Sequence, residues 1–491
     1  MNKYILTLLI LFISLISFAQ TDKEIASSLI TKNKIEAHIY FLASDEMRGR
    51  ETGTNEGKIA AQYLANQLHA YGAKQVPNAD GFFQNVPLSK TIAATKRSIH
   101  INGEEHAPPA PIEGGNFSYD GAAVYVNYGL EKDYEGQDVK GKLVYVKAGS
   151  ETIDSAREMF GLIEQKKALA KKHGAVAIVE LANINPAIWS FIDHAYSENR
   201  IGLVEKDEEK EDFNYFWVLD TNNAIANSIA SKSKNFAEIT ISGIKKEEII
   251  SRNVIAMVEG TDPKLKNEYI IYSGHYDHVG IGKPDATGDS IYNGARDNAV
   301  GVTTVLSMAE NLAKYPTKRS ALFILFTGEE KGLLGSKYYV ENPLIALNQM
   351  VYCFNSDNAG YNDTSIITVV GLGRTTAEND IKVAASAFGL QAKDDPAPEQ
   401  NLFDRSDNVH FAAKGIPAPT YSLGFTSFSG NVTDHYHQPS DEADSIDFDY
   451  LVKFFKAYVL SGRLIGNNPK TPFWVSGDTY EAAGKELYNK K

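Results

Sequence analysis

The run Ala321-Leu-Phe-Ile-Leu-Phe326, which ends in Thr327-Gly-Glu-Glu330, constrains the fold of this chain more than any other stretch. Consecutive apolar residues of this length predict a strand buried on both faces, as in the parallel sheet of an α/β protein. Two adjacent carboxylates follow, with no cation beside them until Lys331. Like charges so close are costly unless a metal ion or a proton gives them separate roles. In open α/β sheets, ligands lie beyond the carboxyl ends of the strands, which is where Glu329 and Glu330 fall. Both can serve one site only if the chain turns, because successive side chains on a strand point to opposite faces. Gly328 makes that turn easy.

The same alternation of apolar strands and helices continues around this run. Strands are expected at Val254–Val258, Tyr269–Ser273 and Met350–Phe354, and helices at Ala299–Tyr315 and from Ser406 or Asp407 to Gly415. The pattern implies an α/β three-layer sandwich with a mostly parallel, mixed sheet. A single helix is expected over about Lys23–Leu42. Then come a charged, Gly-rich loop at Ser44–Thr54, assigned no role, and a helix from Thr54 or Asn55 to Gly72 with Ile59, Ala60, Tyr63, Leu64 and Leu68 on its apolar side.

At 491 residues, two or three domains are expected. Between 108 and 250 the pattern changes to short strands around a helix near Gly161–His173, with no clustered His and acidic residues, and this stretch reads as a smaller, β-rich α+β insertion. Glu205–Asp212 is expected to be a charged surface loop. The larger α/β domain is expected in two parts, 20–107 and 251–465, with a C-terminal tail at 466–491. Residues 1–19 carry Lys3, an apolar core and the small-x-small triplet Ser17-Phe18-Ala19, the pattern of a cleaved signal peptide. Export to the periplasm or the extracellular space is therefore expected, without stable membrane insertion after cleavage. The single cysteine, Cys353, excludes an intramolecular disulfide. A net charge of −13 with no basic stripe argues against nucleic acid as a partner, and the pairs Lys166-Lys167 and Lys171-Lys172 are expected to be solvated helix faces.

Two short stretches hold four of the histidines: Ser273–Gly280 (SGHYDHVG) directly after a strand, and Thr433–Asp441 (TDHYHQPSD) in a loop. Between them lie Ala295–Gly301 (ARDNAVG), the Glu329-Glu330 pair and Asn355–Asn358 (NSDN). Histidine and carboxylate ligands suit zinc, and a catalytic zinc takes three protein ligands plus water. His275, Asp297, one Glu of the pair, Asp357 and a histidine of the second cluster make five. Two zinc ions need six places, so one ligand must be shared, and a carboxylate bridges most readily. The other Glu is then free to act as a base toward water.

In this order the five stretches resemble the co-catalytic zinc exopeptidases of the aminopeptidase and glutamate-carboxypeptidase family, over about residues 24–90 and 250–465. The intervening region resembles a protease-associated domain. The resemblance implies that His275 and Asp357 hold one zinc, Glu330 and His437 the other, and Asp297 bridges them. It makes Glu329 the general base and Tyr436 a support for the tetrahedral intermediate. It also implies that Asp277 orients His275 and that the Asp297–Asn298 peptide is cis. Many relatives have Asp where this chain has His435, which leaves His435 as an alternative to His437. His278 and Cys353 are assigned to packing or support.

The implied activity is hydrolysis of N-terminal residues from peptides. A carboxypeptidase of the same family would need a cation for the substrate carboxylate, for which Arg405 is the candidate. Glutaminyl cyclases share the fold with a single zinc, and a receptor-like binding protein on this scaffold would lack ligands. The full ligand set speaks against both.

Overall fold

The computed structural model describes residues 21–204 and 213–489. The expected signal segment at 1–19 and the expected charged loop Glu205–Asp212 lie outside them. The chain forms two compact units, one running up to Val86 and again from Ile250, the other Pro87–Ile249. The insertion thus begins at Pro87 rather than at 108. The reason is long-range pairing: Lys96–Ile101 lies antiparallel to Asn235–Ser242, deep in the inserted stretch, and carries Glu104–Glu105 on its other edge.

The first unit is built on a mixed sheet. From one edge its strands are Gln391–Lys393, Ile366–Val370, Thr420–Leu423, Met350–Ser356, Tyr269–His275, Ser320–Phe326 and Lys245–Val258, followed by Phe83–Ile92. Tyr269–His275 runs parallel to both neighbours, and the outer pairings are part parallel and part antiparallel. The apolar run behaves as its composition demands. Ala321, Phe323 and Leu325 enter the core on one face of the sheet, and Leu322, Ile324 and Phe326 the core on the other. All six are at most 2 % exposed, each large side chain contributing roughly 2 kcal/mol of burial. Helices Gly301–Lys314 and Phe448–Asn467 cover the first face; Leu334–Glu341 and Asn408–Ala413 cover the second.

Some local expectations give way to better-capped alternatives. The expected Lys23–Leu42 helix is two helices, Asp22–Ser28 and Lys32–Leu42, because Thr21 and Thr31 each cap a new N-terminus. Thr54 and the left-handed Gly72 bound the next helix as expected, but Ile59 is 52 % exposed rather than on its apolar side. The segment beyond 465 is no loose tail. The long helix runs on to Asn467, Trp474 is buried in the second core, and Tyr488 donates a hydrogen bond to the Met350 carbonyl. No helix among the described residues is long and apolar enough to cross a membrane.

The second unit holds an eight-stranded mixed sheet with an apolar core on each face. Lys166, expected on a solvated face, is fully buried. It donates to Glu180, which also accepts a hydrogen bond of 2.8 Å from Tyr215, so the charge is paired as burial requires. Among the described residues, the groups of His and acidic side chains close enough to share a metal ion all lie in the first unit.

Candidate metal centre

Three parallel strands deliver the site to one sheet edge. His275 is the last residue of its strand and stands opposite Phe326 in register. Glu329 and Glu330 follow Phe326 after a turn at Gly328, whose φ is +71°. Asp357 directly follows Met350–Ser356. Asp297 comes from the irregular turn before the helix Gly301–Lys314, and its peptide bond to Asn298 is cis. His437 comes from the loop after Thr420–Leu423.

Asp297 lies between the two histidines. Its Oδ1 is 3.2 Å from His275 Nε2, and its Oδ2 is 3.2 Å from His437 Nε2. His275 Nε2 is also 3.3 Å from Asp357 Oδ1, and His437 Nε2 is 3.0 Å from Glu330 Oε2. The donor atoms of His275, Asp297 and Asp357 lie within 4.8 Å of one another, as do those of His278, Asp297, Glu330 and His437.

The chemistry of these donors fits metal binding. His275 Nδ1 donates to the Asp277 carbonyl at 3.1 Å, which fixes the tautomer and leaves Nε2 with a lone pair toward Asp297 and Asp357. His437 Nε2 is buried and close to two carboxylates, yet forms a well-aligned hydrogen bond with neither. A nitrogen and oxygens arranged around a common centre have that geometry.

The two adjacent glutamates have different surroundings. Burial pushes Glu329 well above the ordinary carboxylate range, and Asp357, Glu330 and Asp407 add to the effect against the pull of His275. Burial and Asp297 also oppose ionisation of Glu330, but contacts with His278 and His437 hold it down to about 2. One carboxylate is thus poised to hold a proton and the other stays charged, the separation that acid–base work needs.

Supports that sequence reasoning left without a role surround the ligands. Arg50, in the loop assigned no role, is fully buried. Its guanidinium donates to the carbonyls of Tyr276 at 2.7 Å, Leu42 at 3.1 Å, Gly294 at 2.7 Å, Asp297 at 3.3 Å and, most tightly, Asn293. Thr52 donates to Asp277 Oδ2 at 2.7 Å. The Asp277 carboxylate stands 4.0 Å from His275 Nδ1 rather than bonding it. It accepts instead from the backbone N–H groups of Glu329 and Glu330, at 3.2 and 3.4 Å. The carbonyl, and not the expected carboxylate, orients His275, because the chain bends back on the ring within two residues. Asp441, at the end of the second histidine cluster, accepts from the backbone N–H of Arg296 and of Asp297 and from the Arg296 guanidinium. Its place at the end of the histidine-rich stretch Thr433–Asp441 was the only sequence signal for it.

His435 turns away, its Nδ1 donating to the Ser440 carbonyl at 2.9 Å. His278 contacts Glu330 Oε1 through Nδ1 at 2.7 Å, within the second donor group. Cys353 is buried 3.5 Å from Ser273 Oγ, a packing position. The Tyr436 ring stacks on His437 at 4.0 Å, and burial and the nearby Asp297 keep its phenol protonated. A pocket with about 560 Å³ of empty space opens onto His275, Asp297, Glu329, Asp357 and Tyr436, with Arg405 at its wall.

Residues 253–460, which contain every one of these ligand candidates, match peptidase family M28. This segment belongs to that family. The peptidase is 25 % identical over 378 residues to aminopeptidase YwaD of Bacillus subtilis, a match covering 75 % of this chain and 71 % of that protein. It is 27 % identical over 385 residues to a probable leucine aminopeptidase 2 of Aspergillus oryzae, covering 76 % and 68 %. Among solved structures, an aminopeptidase from Aneurinibacillus sp. strain AM-1 superposes with a TM-score of 0.61 at 22 % identity, covering 91 % of this chain and 97 % of that one. That likeness establishes the fold. These relatives are named aminopeptidases, and a further one, from Pyrenophora teres, a probable zinc metalloprotease.

Proposed function

We propose that this peptidase is an exported, dinuclear zinc aminopeptidase that removes N-terminal residues from peptides with Glu329 as its general base. The observation that carries the reading is the position of Asp297, one oxygen on each histidine. His275 and Asp357 would hold one ion, Glu330 and His437 the other, and Asp297 both. Bound zinc supplies Lewis acidity toward the scissile carbonyl and lowers the pKa of water to about 7.

The remaining steps belong to the chain's own residues. Glu329, raised by burial, takes the proton of the attacking water and returns it to the leaving amine. The Tyr436 phenol, which stays protonated, donates a hydrogen bond to the oxygen that gains charge as the carbonyl becomes tetrahedral. His278 keeps Glu330 in place through its 2.7 Å contact. Phe425, Phe428, Leu402 and Val370 give part of the pocket an apolar wall.

The N-terminal sequence pattern supports export to the periplasm or the extracellular space. The second unit reads as a protease-associated-like domain, supported by its β-rich α+β make-up. Zinc analysis combined with hydrolysis of free and N-acetylated peptides tests the function, with Glu329→Gln as control. The expected result is two equivalents of zinc and cleavage of free N-termini only. The substitution should lower kcat by roughly 10²- to 10⁴-fold while the zinc is kept. Equal cleavage of acetylated peptides would overturn the aminopeptidase reading, and full activity with one equivalent of zinc would overturn the dinuclear one.

A further inference from the structure

Arg405 is a cation whose position the ligand set does not explain. It is exposed and lines the same pocket as His275, Asp297, Glu329 and Asp357. Its guanidinium carbon lies 5.6 Å from the centre of the Phe428 ring, which meets the Tyr436 ring edge-on at 6.0 Å. Arg405, Phe428 and Tyr436 thus form one wall leading to the metal-facing residues.

Several other arginines of this unit are paired with carboxylates. Arg319 sits on Glu268 at 2.7 Å, Arg374 on Asp478 at 2.7 Å and Arg463 on Asp22 at 2.8 Å. Arg405 has no carboxylate within salt-bridge distance among the described residues. Its neighbour Asp404 is turned to Asn401 and Tyr480 instead. Nor do the pocket's own carboxylates call for it, because two divalent ions would offset Asp297, Glu329 and Asp357. A guanidinium is a planar fork of donors that matches a carboxylate in bidentate fashion. Ala359, Val370, Leu402 and Phe425 line the same pocket, and a carboxylate seated among such apolar walls pairs more strongly with a cation than one in open water.

We infer that Arg405 receives a substrate carboxylate, so that the pocket selects peptides with an anionic group close to the scissile bond. This rests on the reading of the pocket as a peptide site. The carboxylate can come from two sources, an acidic N-terminal side chain or the free C-terminus of a dipeptide, and the chemistry at Arg405 is the same for both.

Two substrate pairs separate these sources: glutamyl against glutaminyl p-nitroanilide, and a free dipeptide such as Leu-Gly against its C-terminal amide. The zinc-loaded enzyme is expected to favour the anionic member of at least one pair by roughly tenfold in kcat/KM, and the pair showing it identifies the source. Arg405→Gln should bring that ratio to about one, and Arg405→Lys should keep part of it. Calorimetric binding of Leu-Gly, Leu-Gly amide, glutamate and glutamine to zinc-loaded Glu329→Gln, with and without Arg405→Gln, reads the same preference without turnover. A preference for the anion in binding, lost with Arg405→Gln, supports the inference even if no peptide is cleaved. The inference is overturned if the wild type treats both members of both pairs alike, or if Arg405→Gln leaves the ratios unchanged. Failure of the aminopeptidase reading shows separately, as no cleavage of any free N-terminus.

Discussion

The Thr52 hydroxyl donates to Asp277 Oδ2 at 2.7 Å, joining residues 225 positions apart in the chain. Through Asp277 this bond reaches the backbone of both glutamates, so the angle of the Glu329–Glu330 turn is set from the N-terminal loop.

Asp277→Asn should therefore impair the turn without removing a metal-facing side chain. It replaces one acceptor oxygen by an NH₂ group facing backbone N–H donors. The expected outcome is a 10- to 100-fold loss of kcat/KM or of zinc affinity, as for other groups that orient metal ligands. Steady-state kinetics and zinc titration measure it.

Arg50→Lys tests the brace on the other side. A lysine ammonium offers three donors from a point, whereas the guanidinium serves five carbonyls across a plane. Leaving two of these buried carbonyls unpaired should cost about 2–5 kcal/mol. Denaturant unfolding should show the loss.

Asp297 and Asp357 should differ when altered one at a time. Asp297→Asn should weaken both ions, because Asp297 faces both histidines. Asp357→Asn should weaken only the ion held with His275. Metal content after dialysis distinguishes them. Chelation of the wild type should lower its melting temperature, since zinc present at a thousandfold excess over its Kd stabilises by about 4 kcal/mol.

Acid should weaken the fold through His38, which is only 9 % exposed and bridges Tyr63 and Tyr71 at 2.7 and 2.9 Å. Burial lowers its pKa from 6.5 to about 4. Between those values the unfolded chain binds the proton and the folded one does not. The contribution is thus complete above about pH 6.5 and is lost as pH falls toward 4, a swing on the order of 3 kcal/mol. The stability difference between wild type and His38→Gln should shrink across that window in unfolding curves taken from pH 7 to pH 4.

The sequence made the metal-facing residues legible for a physical reason. His275, Glu329, Glu330 and Asp357 end or follow buried strands, and parallel strands put such positions on one edge whatever else the chain does. Asp297 and His437 come from loops, and only the order of the motifs pointed to them. Arg50 was illegible because its acceptors are backbone carbonyls, which leave no mark on the side chains of their segments. The burial of Lys166 was hidden for a related reason, since Glu180 becomes its partner only when a helix packs on a strand. The start of the insertion at Pro87 and the docking of Trp474 likewise depend on pairings made far along the chain.

The catalytic unit is in effect a split protein whose halves are kept on one polypeptide by a long detour. Its first half contributes no metal-facing residue, yet Arg50 and Thr52 hold the carbonyls and the carboxylate that aim those residues. The second half carries the metal-facing residues but cannot set the aim of its own ligands. Fragments cut on either side of the detour should be individually inert and regain zinc binding when mixed. Evolution would then be free to exchange the detour as a cartridge, provided the two halves still meet.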